Sequence, residues 1–343
     1  MTMSTSADIT ATDYDTATDY DVVIVGGGPG GLAAAVALGR SLRSVLLVDA
    51  GQQRNLPSDA AHNVLGREGI APAALLADGR REAAGYGVAF ADTRAVDARR
   101  DGGGFVVDLE HGSSVRARRL VLATGLTDEL PAIDGVRDGW GHSVLHCPYC
   151  HGYEVRGQRI GVIASVAPQA VHQSLLFSRL SPQTTLFTDG VDVDDAQRAE
   201  LAVMGVTIVD GRVLRLQMDG IQVRSVVLTD RTHDVDAVVV GPRMVARGDL
   251  YERLGGELAD HPMGRFVPSG PGGATPIEGV WAVGNAVDLA AMVASSAGSG
   301  VAVGAAVNAD LLADDVRDRL AEPDRAPRNT VPSRPVEYPH GNH

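Results

Sequence analysis

Residues 21–50 read DVVIVGGGPGGLAAAVALGRSLRSVLLVDA. An apolar β-run, Val22 to Val25, meets Gly26-Gly27-Gly28-Pro29-Gly30-Gly31. An Ala/Leu-rich helix is then predicted over Leu32–Arg40, and a second strand, Ser44–Val48, ends on Asp49. In such a unit Gly26 allows the tight turn, Gly28 lets the backbone approach a pyrophosphate, and Gly31 lets helix and strand pack closely. The pyrophosphate sits on the helix N-terminus, where free N–H groups and the dipole favour an anion. Asp49, eighteen residues past Gly31, is placed to accept a hydrogen bond from a ribose hydroxyl. Strand, turn, helix and acid in that order predict a dinucleotide site and a Rossmann-like α/β fold.

The rest of the chain bounds the reading. At 343 residues it exceeds one ordinary hydrophobic core, so two domains are expected. Hydrophobic residues at 44% and charged residues at 21% suit a soluble globular protein. A formal net charge of −13 argues against nucleic acid or an anionic membrane as a partner. No apolar run approaches the roughly 18 residues of a spanning helix. Residues 1–19 lack the basic and apolar regions of a signal peptide and read as a disordered lead-in, and residues 319–343 read as a flexible tail. The expected location is cytoplasmic, where a purely structural disulfide is uncommon.

Two further stretches carry a resemblance. Arg119–Gly125, RLVLATG, is a buried strand ending in Thr124-Gly125. Thr275–Asn285, TPIEGVWAVGN, is a strand whose Gly284-Asn285 precedes a small-residue helix, roughly Met292 to Leu312. With the first motif, these resemble the FAD domain of the two-dinucleotide-binding flavoproteins. The resemblance implies FAD as cofactor, held by residues 20–129 and 250–318, with a second domain inserted at 130–249. The insert opens with HCPYCH, residues 146–151, which holds the only two cysteines. It continues through a strand (Arg159–Ile163), a helix (about Gln169–Leu180) and another strand (Thr184–Phe187), the order of the thioredoxin reductases. In that family the stretch Arg54–Gly66 runs beneath the flavin, so Arg54, His62 and Asn63 are implied as ring or ribityl contacts. Asn285 stands where the reductases usually carry an Asp.

The insert departs from the reductases at its own nucleotide turn. After the strand come Ala164-Ser165-Val166-Ala167-Pro168-Gln169, without a glycine. Val166 falls where the backbone should approach a pyrophosphate, and Pro168 removes one N–H from the helix start. Past the next strand, Asp189 stands where arginines would hold a 2′-phosphate. The pyridine-nucleotide site is expected to be degenerate.

HCPYCH admits a structural staple, half of a zinc site, a redox pair or chance. Zinc needs about four converging ligands and the chain offers no second Cys or His pair of that spacing, so no metal is expected. A bridge closing so short a loop stabilises little. The family resemblance supplies the redox reading: Cys150 nearest the flavin, Cys147 exchanging with substrate. The reductases carry an acid just after the second cysteine, and this chain has His151. A histidine, with a pKa near 6.5, is partly a neutral base at cellular pH, whereas a thiol near 8.5 is mostly protonated. His151, with His146 as a candidate helper, therefore suits an enzyme that accepts thiols. An intact FAD domain, a degenerate nucleotide site and HCPYCHGYEVRGQ resemble the dithiol oxidases of the gliotoxin and holomycin pathways. That likeness implies oxidation of a small dithiol with O2 as acceptor, in a homodimer. An NADPH-dependent thioredoxin or disulfide reductase, and a flavin-bound sensor or dithiol-sequestering protein, are the alternatives.

Overall fold

The computed structural model describes residues 19–321. Residues 1–18 of the expected lead-in and 322–343 of the expected tail lie outside them, and Asp19 belongs to the first strand. The chain divides into two compact units. Of the described residues, 19–54, 73–127 and 245–321 form the first, and 55–72 and 128–244 form the second.

The first unit opens with β1 (Asp19–Val25), α1 (Pro29–Arg40) and β2 (Val45–Val48). It continues with α2 (Pro72–Gly85), β3 (Ala89–Ala91), β4 (Ala95–Asp101), β5 (Gly104–Leu109) and β6 (Ser114–Leu122). β3, β2, β1 and β6 pair in that order, all parallel, while β4 and β5 extend the edge antiparallel. Successive residues of β1 explain the two-faced burial. Val23 and Val25 point into one cluster with Leu46, Leu120 and Leu122. Val22 and Ile24 point into another with Leu47, Val121 and α1 residues Leu32, Ala35 and Leu38. A parallel strand covered on both faces needs such an unbroken apolar run. Each fully buried Val or Leu contributes about 1.5–3 kcal/mol.

The second unit begins within β7 (Leu126–Glu129) and runs through α3 (Val136–Gly139), β8 (Val144–Leu145), α4 (Pro148–His151), β9 (Ile160–Ile163), α5 (Ala167–Ser178) and β10 (Thr184–Phe187). α6 (Asp195–Val203), β11 (Thr207–Val209), β12 (Val213–Asp219), β13 (Gln222–Leu228), β14 (Thr232–Asp234) and β15 (Ala237–Val240) follow. β11, β10, β9, β15 and β8 form a parallel sheet in that order. α5 covers one face through Ala170, Val171 and Phe177. The antiparallel trio β12–β13–β14 covers the other through Val213, Leu216 and Val226. Residues 55–72, which the sequence reading left in the first domain, pack with this unit. The reason is a set of side-chain contacts to the Cys turn, given below.

The chain returns through β16 (Arg243–Ala246), α7 (Asp249–Arg253), β17 (Ala259–His261), β18 (Gly264–Phe266) and β19 (Val280–Ala282), and ends in α8 (Val293–Ala321). β19 pairs with the last three residues of β6. α8 lies against α1 with Val303, Val307 and Leu311 in the shared core. It runs nine residues past the predicted end, because its last turns pair with arginines of the sheet. Arg119 bonds Asp310 and Asp314. Arg118 reaches Asp315 at 2.8 Å and Asp21 at 3.0 Å, and Arg43 reaches Asp315 at 2.6 Å. Among the described residues no helix is long and apolar enough to cross a membrane.

Candidate active site

The glycine turn sits where β1 hands over to α1. Gly28 is the N-cap, in extended backbone, and Pro29 occupies the first helical position, where its missing N–H is harmless. A Cβ built on Gly28 meets nothing within 4 Å. The helix start therefore faces open space, the cradle an anion needs. Gly31 is the opposite case, since a Cβ there would collide with the Gly26 carbonyl and lie 3.0 Å from Ala123 Cβ. Gly30 is buried beneath Val283 and Ser296. Gly26 holds φ +114°, and its N–H donates to Val48 O at 2.8 Å.

Asp49 follows β2 as predicted, but its carboxylate is already engaged. The Gln53 amide donates to both oxygens at 2.9 and 2.8 Å, the Gly51 N–H reaches one at 3.2 Å, and Arg80 stands at 3.5 Å. A ribose hydroxyl would compete with Gln53 there. Gln53 and Arg80 were not singled out in the sequence, because neither belongs to a spacing motif. Thr124 donates to Arg247 O at 2.8 Å, and Gly125 takes φ +69° and accepts from the Arg247 N–H at 2.9 Å. Arg54 lies in the turn that ends the first segment of this unit. Gly284 takes φ +68°. The Asn285 amide donates to the carbonyls of Asp288 and Ala291, both at 3.0 Å. An aspartate could not donate there, which accounts for the amide in this chain.

In the second unit, HCPYCH leaves the carboxyl end of β8 and becomes the one-turn α4. Cys147 is the N-cap and Pro148 the first helical residue, and the N–H groups of Cys150 and His151 both reach Cys147 O at 3.3 Å. This turn brings the two Cα atoms to 5.3 Å, and Cys147 and Cys150 form a disulfide. Cys150 is the exposed member and Cys147 is half-buried. His151 is half-buried beside them. Burial lowers its pKa below the ordinary histidine value; Glu154 and Asp59 oppose that shift, while His62 and His142 add to it. The imidazole is thereby kept neutral further into the acid range. His146 sits at the β8 terminus with Nδ1 3.2 Å from Val240 O. The Gln173 amide of α5 donates to His146 O at 3.0 Å and approaches Nδ1 at 3.2 Å. His146 is thus anchored to the sheet.

Asn63 Nδ2 donates to Tyr149 O at 2.7 Å, and His62 stands between Glu68 (2.7 Å) and Glu154 (3.4 Å). The Asn63 side chain thus engages the Cys turn, and that of His62 stands between two carboxylates. Glu154 was missed, although an acid one helical turn past His151 was a usable signal.

The family profile of the pyridine nucleotide-disulphide oxidoreductases matches residues 20–302. The chain belongs to that family. It is 33% identical over 293 residues to thioredoxin reductase aclD of Aspergillus oryzae, covering 81% of this chain and 92% of that one. It is 29% identical to thioredoxin reductase sirT of Leptosphaeria maculans, covering 78% and 86%. Among solved structures, HlmI superposes with a TM-score of 0.83 at 43% identity over 88% of this chain and 96% of HlmI. An oxidoreductase from Agrobacterium tumefaciens gives 0.81 at 38% over 86% and 99%. The protein is a thioredoxin-reductase-like flavoprotein, a disulfide oxidoreductase of α/β fold.

This pyridine nucleotide-disulphide oxidoreductase carries two βα turns of one design, and they differ at the decisive place. Gly28 stands three residues past β1 and caps the 12-residue α1. Val166 stands three residues past β9 and caps the 12-residue α5. Where the first turn is bare, the second presents a branched side chain that is 53% exposed. Pro168 occupies the first helical turn, and a Cβ on Gly241 would run into the Gln169 amide at 2.8 Å, so that side chain fills the space beside the helix start. The residues present fit a flavin nucleotide at the first turn and do not fit a pyridine nucleotide at the second. Asp189, past the next strand, takes φ +47°, accepts from the Val213 N–H at 2.8 Å and lies 3.6 Å from the Arg212 guanidinium.

Proposed function

We propose that the protein is an FAD-dependent dithiol oxidase. It closes a small-molecule dithiol into an intramolecular disulfide with O2 as acceptor and hydrogen peroxide as product. The setting we infer is synthesis of, or self-protection against, a disulfide natural product such as holomycin, in a cytoplasmic homodimer. The observation that carries this reading is the pair of matched helix caps, glycine at 28 and valine at 166. With a flavin cradle open and a nicotinamide cradle blocked, electrons have a way out of the protein but no NADPH to bring them in. They must enter from thiols.

The flavin site would be formed by Gly26, Gly28, Pro29, Gly30 and Gly31 at the pyrophosphate, with Asp49, Arg54, Thr124, Gly125, Gly284 and Asn285 around the rest. Bound there, FAD supplies the two-electron chemistry that returns the cysteine pair to the disulfide and delivers its electrons to dioxygen. His151, its charge suppressed by burial, takes the proton from one substrate thiol, with His146 as the helper on the opposite flank of the turn. The thiolate attacks Cys147 Sγ and displaces Cys150 as a thiolate, forming a mixed disulfide. The second substrate thiol, deprotonated in turn, attacks the substrate sulfur and displaces Cys147. The ring closes, and two electrons have passed to the cysteine pair.

The test is a pair of assays on the yellow holoenzyme. Small dithiols in air should be consumed with one peroxide formed per disulfide closed. Anaerobic NADPH at micromolar concentration should leave the flavin colour unchanged. Rapid bleaching by NADPH would overturn the oxidase and install a thioredoxin or disulfide reductase, the reading that the names of the fungal relatives favour. Dithiol binding without peroxide would indicate a sensor or sequestering protein.

A further inference from the structure

We propose that His62, Asn63 and Glu68 form a clamp on the Cys147–Cys150 turn and so set how readily its disulfide is reduced. The clamp stands on the redox reading of the cysteine pair alone, whatever the final acceptor.

Three observations carry it. First, the Asn63 amide donates to the carbonyl of Tyr149, a residue between the two cysteines, at 2.7 Å across 86 residues of sequence. Second, its neighbour His62 holds the chain just beyond the pair, with Nε2 3.4 Å from Glu154 Oε1. Third, one carboxylate ties the two grips together: Glu68 Oε1 meets His62 Nδ1 at 2.7 Å, and Oε2 accepts from the Asn63 N–H at 2.8 Å. The arm is itself stiffened at its base. Ala61 and Ile70 form an antiparallel bridge, with Ala61 N–H to Ile70 O at 2.8 Å and Gly69 N–H to Ala61 O at 3.0 Å.

Backbone strain adds weight to Asn63. It stands at φ +59°, a left-handed conformation that costs most side chains energy and that asparagine tolerates. A glycine would be the relaxed choice there, but glycine has no amide to reach Tyr149. The physical consequence concerns proximity. A turn gripped within and just after the pair holds the two sulfurs close, which favours the bond between them. Losing one hydrogen bond of ordinary net strength should shift the dithiol–disulfide equilibrium about three- to tenfold, a change of at most about 30 mV.

The experiment equilibrates the holoenzyme anaerobically with mixtures of reduced and oxidised dithiothreitol. In the reaction, two electrons and two protons pass to the Cys pair and dithiothreitol leaves as its cyclic disulfide. Free thiols are then alkylated and counted by mass, with flavin content measured in parallel. Asn63→Gly relieves the backbone while removing the amide, and Asn63→Asp keeps the shape but cannot donate. Both should move the equilibrium towards the dithiol by three- to tenfold with flavin content unchanged. Glu68→Gln, which keeps an acceptor but removes the charge facing His62, should move it the same way by less, and it serves if the Asn63 variants do not fold. Wild-type equilibria in these variants would overturn the clamp. Loss of flavin from the Asn63 variants without a shifted equilibrium would overturn it also, and would return Asn63 to the cofactor. A wild-type pair that dithiothreitol cannot reduce would overturn both the clamp and the redox reading beneath it.

Discussion

At the scale of single residues, His151 is the most informative side chain. Its lowered pKa, caused mainly by burial, has a definite sign. A base that loses its proton at lower pH is neutral over more of the acid range, so dithiol oxidation should hold its rate below the usual histidine pKa of about 6.5. His151→Gln should keep fold and flavin and lose about 10²-fold near pH 7, the lower end of what a positioned base contributes. The deficit should shrink towards pH 8.5, where substrate thiols ionise unaided. A flat ratio of wild-type to variant rates across that range would remove His151 as the base. The cysteines should fail unequally. Cys150→Ser leaves the Cys147 thiolate to attack an aromatic disulfide reagent, keeping one half as a mixed disulfide visible as added mass and releasing the other as a thiolate, whereas Cys147→Ser should capture none. Equal trapping would reverse the assigned roles.

At the scale of elements, the glycine turn separates what holds a ligand from what holds the fold. Gly28→Val adds a side chain to open space, so the variant should fold with normal circular dichroism and lose its flavin. Gly31→Val should disturb the fold itself, since its Cβ falls on the Gly26 carbonyl. Flavin retained in Gly28→Val would move the cofactor site elsewhere. The first βα unit was legible because its apolar run, glycines and acid all serve local geometry. The predicted strand Thr184–Phe187 matches β10 residue for residue. Other boundaries moved for stated reasons. α5 begins at Ala167 instead of Gln169 because Val166 caps it. α8 continues past Leu312 because Asp310, Asp314 and Asp315 read as solvent-facing charges in sequence, whereas here they meet Arg119, Arg118 and Arg43. The contacts of Asn63 with Tyr149 and of His62 with Glu154 were illegible for a plainer reason: those partners stand near position 150, and no spacing rule spans that gap.

At the scale of the whole molecule, the arginine–aspartate network ties the first strands of the chain to its last described helix. Burial works against ionisation of Asp315, yet the hydrogen bonds from Arg43 and Arg118 outweigh it and keep the carboxyl below its ordinary pKa. A depressed carboxylate stabilises the fold above the unfolded pKa and loses that contribution as pH falls through the folded value. Asp315→Asn should therefore cost about 1–3 kcal/mol at pH 7, since it leaves two mostly buried guanidinium groups short of a partner. Thermal melts of wild type and variant should converge as pH falls through the lowered pKa of Asp315. A constant gap between them would show that the charge of Asp315 contributes nothing.

The same closure constrains how the protein is made. The glycine turn follows β1 near one end of the described chain and is closed by α8 near the other, where a Cβ on Gly300 would collide with the Gly30 carbonyl. On the ribosome, the segments of the Cys-bearing unit all emerge before α8 does. The thiols of a nascent chain are therefore complete before that turn is closed, and at the proposed flavin site the cofactor would load late in maturation.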